Sequence, residues 1–558
     1  MKWFGTWLVA AVAVNGQQTG NHPDWPRWCG KVYEVGFPNF DPGGQLLPPT
    51  PRPGPPLLHV TFAPRYSLYL ESERYGEFIV NAAFSPYHGT VWPNATSPRA
   101  NKFIFSINLV ENDDPLVQNM VTVNTTSNIF RFDLSLLTPS LSPIHVVLYG
   151  APEGGSPTWT TTTTFFYLPE KPTGSVTRID NLNGGLLFRN RFSNGTFQPL
   201  FAYGFYSSYD GFLRNKNNSE IQAYTDLGLN AITPLTIYTD SASEFAYMDS
   251  INLRFMYNLR ERYKNLTEVH ENVLAARDAE AIFAYWSADE PDGWQDPFSA
   301  PFDAYHLIRS LDPYHPVAVV LNCQNYYFKE YSEGADILMA DVYPIGINST
   351  FSKWGTECNV THGDCGCDNC KGVVQDVSDR LDDLARYEEW LGLWPKTKVF
   401  SPQSFHGQDY WFRDPSVEES WVMAALGVNH GAQSVISWVF PTSEILARAH
   451  GMLSRVVTRA PVVNFLVGGD RPNKVEVRVP GTEVVDAAYW VRDGRALVSV
   501  VNGGYVAINR TVEVRVPGAT VVRNTHWGNV SWKLEEEKLS VGYLPAMAVS
   551  LVIVDLKR

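Results

Sequence analysis

The stretch AIFAYWSADEPDGW, residues 281–294, decides the fold of the central part of the chain. Its five apolar or aromatic residues at 282–286 predict a buried strand. Pro291 has no backbone N–H to donate to a strand ladder, so the strand must end before it. Asp289 and Glu290 are therefore expected at the carboxyl end of a buried strand.

Two carboxylates at such a strand end point to chemistry. In an α/β barrel, the carboxyl ends of the strands carry the catalytic residues. Burial of Glu290 beside Trp286 and next to the Asp289 carboxylate should raise the pKa of Glu290, which suits a general acid. The alternative is an acidic turn after a core strand, with no catalytic role.

Strand and helix patterns alternate around this stretch and predict an eightfold α/β barrel. The apolar runs expected to form its strands are 201–206, 230–235, 251–255, 282–286, 317–322, 336–344, 398–403 and 434–440. Helices are expected between them, with a capping box of Ser416 and Glu419 opening the one at 416–427. A doubly wound open sheet is the alternative, but no glycine-rich phosphate loop stands where that fold would place one.

Short strands separated by turns, without helical periodicity, flank the barrel region on both sides. They predict an N-terminal β-sandwich and a smaller C-terminal β-sandwich. The N-terminal sandwich is expected to be structural, with a carbohydrate-binding module as the alternative. The predicted order is a signal peptide at 1–17, a Pro/Gly-rich irregular lead at 18–56, the N-terminal β-sandwich at 57–175, the (β/α)8 barrel at 176–466 and the C-terminal β-sandwich at 467–558.

The composition favours a globular protein that does not bind nucleic acid. Hydrophobic residues make up 44% and charged residues 18% of the 558 residues, which excludes an intrinsically disordered chain. The net charge of −14 disfavours nucleic acid and anionic membranes as partners. Aromatic residues reach 13%, and their rings either stack on flat apolar surfaces such as sugar rings or fill cores.

The first residues predict export. A basic start and a short apolar run lead to small residues, a pattern typical of a secretory signal peptide and too short for a membrane span. We therefore expect a secreted protein, either extracellular or in the cell wall. Sequons for N-glycosylation agree with export and begin at Asn94, Asn124, Asn194, Asn217, Asn265, Asn348, Asn359, Asn509 and Asn529.

The chain has six cysteines, an even number that suits disulfides in an oxidising compartment. Four are crowded together, which predicts a disulfide-stapled loop in preference to a zinc site: Cys358, Cys365, Cys367 and Cys370. Cys29 and Cys323 could pair or stay free. The histidines show no ligand spacing, so we expect no metal and no cofactor.

A barrel with β-sandwiches on both sides resembles the clan A glycoside hydrolases of the (trans)glycosidase TIM-barrel superfamily. In that clan the fourth strand typically ends in Asn-Glu-Pro, and residues 289–291 read Asp-Glu-Pro. Further matches are Gly204-Phe205 on strand one, Leu229-Asn230 on strand two and Trp438 on strand eight. The resemblance implies a hydrolase of O-glycosidic bonds in a poly- or oligosaccharide, with Glu290 as the general acid/base.

The seventh strand departs from the clan's pattern. Clan members carry a nucleophilic Glu at its end, whereas this sequence has Gln403, whose amide cannot form a covalent glycosyl intermediate. The second carboxylate could be Asp341 at the end of strand six, the best candidate, or Glu444 just past strand eight. Asp341 could equally be a structural residue that hydrogen-bonds a loop. The substrate's own group could instead assist, oriented by Asp289. A gap of roughly 6.5–9.5 Å between the carboxyls of Glu290 and Asp341 would give inversion, and one of about 5 Å retention.

Side chains at or just past the strand ends are expected to bind the carbohydrate. The candidates are Tyr206, Trp286, Asp289, Tyr343, Gln403, His406, Trp411 and Trp438. Each could instead be a packing residue or a polar group of the rim that contacts no ligand. Asp292 and Trp294 are expected to shape the loop after strand four.

Gln403 also motivates a hypothesis from a different class, a carbohydrate-binding or cell-wall glycoprotein on a barrel that has lost hydrolysis. A purely structural surface protein is a third hypothesis. The sequence leaves open the sugar, its anomeric configuration, exo or endo action and the oligomeric state.

Overall fold

The structure, a computed structural model, describes residues 24–93, 101–475, 477–478 and 484–557. The predicted signal peptide and the sequon at Asn94 lie outside these residues.

Eight parallel strands close into a barrel at the centre of the chain. They are β1 (Tyr203–Ser207), β2 (Ala231–Pro234), β3 (Arg254–Asn258), β4 (Ile282–Asp289), β5 (Val317–Leu321), β6 (Ile337–Ala340), β7 (Thr397–Phe400) and β8 (Ala432–Phe440). Each strand pairs with the next, and β8 returns to β1, where Phe205 lies opposite Ser437. The predicted eightfold barrel is confirmed, and the open sheet is excluded.

Helices alternate with these strands. They are α1 (Asn218–Asp226), α2 (Tyr238–Ile251), α3 (Leu266–Ala276), α4 (Ser299–Leu311), α5 (Phe328–Ser332), α6 (Asp376–Leu391), α7 (Val417–Asn429), α8 (Glu444–Val457) and α9 (Val462–Gly468). The predicted capping box opens α7, because Ser416 Oγ accepts from Glu419 N at 3.1 Å and Glu419 Oε2 accepts from Ser416 N at 2.7 Å. The third strand was expected at 251–255 but begins at Arg254, because Asn252 ends α2 in the left-handed conformation with a φ of 58°.

Side chains fill the barrel interior and a small sheet covers its amino-terminal end. Tyr206, Ala284 and Trp286 belong to the buried interior cluster. The same cluster includes Ile179 and Leu200, which come from a three-stranded antiparallel sheet before β1 (Val176–Ile179, Leu186–Arg189, Gln198–Leu200). The bottom of the barrel is therefore packed, and the open end lies at the carboxyl ends of the strands.

Largely antiparallel sheets flank the barrel on both sides, as the sequence predicted, and Leu68–Leu70 pairs in parallel with Trp159–Leu168. The N-terminal pair shares one buried core and consists of Leu68–Leu70, Trp159–Leu168, Ile144–Pro152, Lys102–Leu109 and Pro115–Thr122 in one sheet, and Thr90–Val91, Leu57–Pro64, Tyr75–Ser85 and Thr125–Asp133 in the other. The C-terminal pair consists of Asn473–Lys474, Val485–Arg492, Arg495–Asn502, Ala548–Leu556 and Ala519–Trp527, facing Val477–Arg478, Val512–Arg515, Lys538–Val541 and Lys533–Glu535.

The lead before the first sandwich is largely irregular but firmly attached to the barrel. Its two short strands, Arg27–Trp28 and Lys31–Val32, pair with each other. Cys29 forms a disulfide with Cys323, just after β5. Val32 also bridges His362 in the cysteine-rich loop. The lead therefore crosses the open end of the barrel.

All six cysteines form disulfides, and the described sequon asparagines lie at least partly at the surface. Cys358 pairs with Cys365 and Cys367 with Cys370, so all six cysteines are in disulfides. Among the sequon asparagines that the structure describes, Asn359 is partly exposed and the others are exposed. Within the described residues, no helix combines the length and apolar character that a membrane crossing requires.

Candidate active site

A cavity of about 440 Å³ opens at the carboxyl ends of the barrel strands, and we call it the barrel-mouth cavity. Its size falls within the range of small-molecule sites. Four carboxylates line it, namely Asp289, Glu290, Asp341 and Asp364. Most of the remaining lining is aromatic and comprises Trp28, Tyr33, Tyr206, Trp294, Tyr343, Phe405, Tyr410, Trp411 and Trp438.

Glu290 is the first residue after β4 and is held in an uncommon backbone conformation. Its φ is 47°, in the left-handed region that a side chain with a Cβ rarely adopts. Its backbone N–H donates to Val320 O at 3.1 Å, and its carbonyl accepts from Trp294 N at 3.1 Å. Two backbone bonds therefore fix the turn that places the Glu290 carboxyl in the cavity, and such strain clusters at functional sites.

Glu290 and Asp341 form a hydrogen-bonded pair of carboxyls. Burial raises the pKa of Glu290 well above its usual value, and the negative charge of Asp341 and the hydrogen bond to it raise that pKa further. Burial also raises the pKa of Asp341, although the hydrogen bond from Glu290 opposes that rise. The buried pair therefore binds a proton more tightly than an isolated carboxylate does, and the two carboxyls share that proton.

This contact bears on the two carboxyl spacings that the sequence left open. The side chains of Glu290 and Asp341 are in direct hydrogen-bond contact, which matches neither the wider nor the narrower gap. Their separation is shorter than the spacing of either retaining or inverting carboxylate pairs, roughly 5 Å and 6.5–9.5 Å respectively. The two carboxyls therefore form one acid–base unit.

Asp289 faces the cavity in an ion pair with Arg260. Arg260 Nη1 lies 3.2 Å from Asp289 Oδ2. Burial raises the pKa of Asp289, and the Arg260 guanidinium opposes that rise. The same guanidinium lies 5.3 Å from the ring centroid of Trp286 and 5.4 Å from that of Trp438. Arg260 thus links the Asp289 carboxylate to the rings of Trp286 and Trp438, which form the aromatic floor of the site.

The opposite wall is an aromatic cluster. The rings of Tyr343 and Phe405 are 5.1 Å apart, and the Phe405 and Trp411 rings are 4.9 Å apart. Trp411 Nε1 donates to Tyr343 O at 2.9 Å, which fixes the indole against the loop after β6. Trp438 lies at the end of β8, and its ring is 5.2 Å from that of Tyr206. Tyr206, Tyr343, Trp411 and Trp438 were predicted to bind the carbohydrate, and all four line the cavity.

Three predicted binding residues do not line the cavity, and their contacts explain why. Trp286 is fully buried beneath the cavity, where its indole N–H donates to Ala288 O at 3.1 Å. Gln403 is fully buried beyond the end of β7, and its amide bonds both the N–H and the C=O of Ile345, at 3.0 and 2.9 Å. His406 is exposed and bonds Asp414 at 2.8 Å. Trp286 and Gln403 therefore lie inside the protein, and His406 lies at its surface.

Glu444, the alternative candidate for the second carboxylate, also lies outside the cavity lining. Glu444 lies at the start of α8 with its side chain 77% exposed and paired with Arg448 at 2.6 Å, outside the cavity lining. Asp292 is buried and accepts from the backbone N–H of Cys323 at 2.8 Å, so it holds the loops after β4 and β5 together as expected. The described residues contain no group of three or more His, Cys, Asp or Glu that could hold a metal ion.

Several cavity residues escaped the sequence-based reasoning. Arg260 and Asn322 follow the ends of β3 and β5, so attention to every strand end would have found them. Trp28 and Tyr33 come from the lead, and Asp364 comes from the cysteine-rich loop. The only hint in the sequence was that Cys29 and Cys323 might pair, which brings the lead next to strand five.

Comparison with known proteins adds a structural likeness only. No family model and no curated protein sequence matches the chain. Among solved structures it is similar to a β-glucuronidase from Parabacteroides merdae, with 11% identity, a TM-score of 0.33 and coverage of 89% of this chain and 75% of that chain. It is also similar to a family 30 endoxylanase from Clostridium papyrosolvens, with 10% identity, a TM-score of 0.39 and coverage of 64% and 96%. A family 30 xylanase from Clostridium acetobutylicum gives 11% identity, a TM-score of 0.39 and coverage of 64% and 97%. Likeness of this degree carries no argument about activity, so the function must be inferred from the site.

Proposed function

We propose that this protein is a glycoside hydrolase that cleaves O-glycosidic bonds in a poly- or oligosaccharide, with Glu290 as the general acid/base. One observation carries the proposal: Glu290, whose pKa is raised by burial and by the charge of Asp341, is hydrogen-bonded to Asp341 in an aromatic-lined cavity at the carboxyl end of a closed barrel. A carboxylic acid kept neutral by burial and a neighbouring charge can donate its proton near neutral pH.

In this mechanism Glu290 protonates the glycosidic oxygen while the bond to the anomeric carbon breaks. Positive charge then develops on the sugar ring, and Asp289, held by Arg260, stabilises that charge. The leaving alcohol carries away the proton, so Glu290 and Asp341 are briefly both ionised. Their repulsion raises the proton affinity of Glu290, which takes a proton from the incoming water as its hydroxyl adds to the anomeric carbon.

The aromatic lining accounts for substrate binding in this proposal. Trp438, Tyr343 and Trp411 present rings to the cavity, and the apolar faces of sugar rings pack against such surfaces. The paired carboxylates and Arg260 supply hydrogen bonds to hydroxyl groups. We further propose that the protein is secreted and N-glycosylated, which the three disulfides and the exposed sequon asparagines support.

The test is the release of reducing ends from a panel of plant and fungal cell-wall glycans by the wild type and by Glu290→Gln. Gln keeps the size of the side chain and removes the transferable proton. We expect release of product from at least one glycan by the wild type, and a loss of at least about a hundredfold in the variant. Equal rates in both proteins would exclude Glu290 as the acid.

A carbohydrate-binding protein without hydrolysis is the second candidate, and one observation favours it. Gln403 replaces the expected nucleophile, and its amide is committed to Ile345 and faces away from the cavity. Glycan binding by the wild type, with no product after long incubation, would support this candidate over the enzyme.

A further inference from the structure

A hydrogen-bond chain runs from the lead into the catalytic pair. The Trp28 indole N–H donates to Asn322 Oδ1 at 3.0 Å, and Asn322 Nδ2 donates to Asp341 Oδ1 at 3.4 Å. The next residue after Trp28 is Cys29, and the next after Asn322 is Cys323, and these two cysteines form a disulfide. A covalent bond therefore lies directly beside the link between the lead and the loop after β5.

Asn322 is fixed at its backbone as well as at its side chain. Its N–H donates to Asp292 Oδ2 at 3.1 Å, and its carbonyl accepts from Arg380 Nη1 at 2.7 Å. The remaining freedom is a flip of the amide, which would turn the oxygen toward the Asp341 carboxylate and the NH2 toward the Trp28 N–H. Both new contacts would be repulsive, so the Trp28 donor selects the orientation that offers an N–H to Asp341.

The indole of Trp28 is itself held in place from the β4 side. A Cβ added at Gly293 would come within 2.4 Å of the Trp28 ring, so only glycine leaves room for the indole there. The Trp294 ring packs edge-on to it at 5.1 Å between centroids. Gly293 and Trp294, in the loop that follows Glu290, thus form the site in which the Trp28 ring packs, and we call it the seat of Trp28.

We propose that Trp28, acting through Asn322, is a positioning residue that keeps Asp341 oriented toward Glu290, so that the lead is a working part of the active site. This inference rests on the proposed function. The donated N–H favours the ionised form of Asp341, which is the form that accepts a hydrogen bond from the Glu290 carboxyl. Without the Trp28 donor, one of the two restraints on the Asn322 amide is lost, so the orientation that offers an N–H to Asp341 is less strongly enforced and the pKa of Asp341 rises.

The first experiment compares Trp28→Phe with the wild type on the glycan found in the panel. Phe keeps a ring in the seat and removes the N–H. We expect kcat to fall by up to about tenfold, the upper size for one lost hydrogen bond between neutral groups. The acid limb of the kcat/KM pH profile should move to higher pH, because Asp341 must be ionised. The matched control is Trp394→Phe, which removes an indole N–H bonded to Asn181 O at 3.2 Å, outside the cavity lining. This control should leave the pH profile unchanged.

The second experiment uses Gly293→Ala, which leaves every donor and acceptor in place and displaces the indole. It should shift the acid limb in the same direction as Trp28→Phe. In a Trp28→Ala background the added methyl meets no ring, so Gly293→Ala should then have no further effect. An equal effect in both backgrounds would contradict a role through Trp28.

The outcomes separate this inference from the proposed function. Full activity of Glu290→Gln would overturn both the proposed function and the positioning role of Trp28. An inactive Glu290→Gln together with an unmoved pH profile in Trp28→Phe overturns the positioning role alone. A rise in KM with kcat and the pH profile unchanged would also overturn it, since Trp28 would then only contact substrate. Asn322→Asp tests the middle of the hydrogen-bond chain: the new carboxylate can still accept from Trp28 but offers no N–H to Asp341, so the acid limb should shift at least as far. An unmoved acid limb in this variant would contradict the role of Asn322.

Discussion

Glu290 and Asp341 are hydrogen-bonded to each other from the ends of two strands that are not neighbours in the barrel. β4 and β6 both flank β5, and the residue just past each strand turns its carboxyl to the barrel axis. Two acids in contact within a buried site cannot both ionise readily, so the pair holds a proton. That proton is the chemical basis of the proposed activity.

Replacing Asp341 by Asn should change the pH profile as well as the rate. Without the neighbouring negative charge the pKa of Glu290 falls, although burial still holds it above its usual value. The alkaline limb of kcat/KM should move to lower pH, the acid limb set by Asp341 should disappear, and kcat/KM should drop by about ten- to a hundredfold. Asp336→Asn, at the other end of the same strand, is the control and should leave both limbs in place. An unchanged alkaline limb in Asp341→Asn would contradict the coupling.

Gln403→Glu should not restore a nucleophile on the seventh strand. The Gln403 amide donates to the carbonyls of Ile345 and Phe405, and a carboxylate would face those oxygens instead. We expect no gain in hydrolysis and a free energy of unfolding lower by about 1–3 kcal/mol, measured by urea denaturation. Gln198→Glu, at an exposed position, should be nearly neutral. A gain in activity for Gln403→Glu would show that this side chain reaches the cavity.

Two tryptophans at strand ends should separate binding from packing. Trp438→Phe replaces an indole that lines the cavity with a smaller ring. KM should therefore rise by about fivefold, corresponding to about 1 kcal/mol. Trp286→Phe removes a buried indole and its bond to Ala288, so the free energy of unfolding should fall by about 1–3 kcal/mol with KM unchanged. A higher KM in Trp286→Phe together with lower stability and an unchanged KM in Trp438→Phe would contradict these positions of the two rings.

His430 should make stability depend on pH at the contact between the barrel and the C-terminal sheets. It lies between Asp382 at 2.8 Å and Asp486 at 3.0 Å, and despite burial these two carboxylates raise the pKa of His430 to about 9. Because the folded state binds this proton more tightly than the unfolded chain, the stabilisation is complete below about pH 6.5 and is lost as the pH rises through about 9. His430→Gln should cost on the order of 2 kcal/mol at pH 6 and little at pH 10. A cost that is the same at both pH values would exclude the charged histidine.

The barrel could be predicted because its signals are local. Apolar runs such as 282–286 alternate with amphipathic helices, and the Ser416 capping box marks a helix start that the structure confirms. Boundaries were less certain where two elements meet, as at 251–255, where a left-handed Asn252 ends the helix before the strand begins. The small sheet beneath the barrel was missed because its three strands are only three or four residues long.

The candidate site was only partly accessible to sequence reasoning. A strand end places a residue near the cavity but does not fix the direction of its side chain. Asp341 and Gln403 both follow barrel strands, yet Asp341 reaches Glu290 while Gln403 bonds Ile345. Trp28 could not have been assigned to the site, because its link to Asn322 joins residues 294 positions apart. Such a contact depends on the closed barrel and on the disulfide beside it.

The most direct measurement compares Glu290→Gln with the wild type on two aryl glycosides of the sugar that the panel identifies, one with a poor and one with a good leaving group. A good leaving group departs without protonation, so loss of the acid should matter little there. For Glu290→Gln we expect kcat/KM to fall at least about a hundredfold on the substrate with the poor leaving group, and much less on the substrate with the good leaving group. Equal losses on both substrates, or no loss on either, would contradict the role of Glu290 as the proton donor.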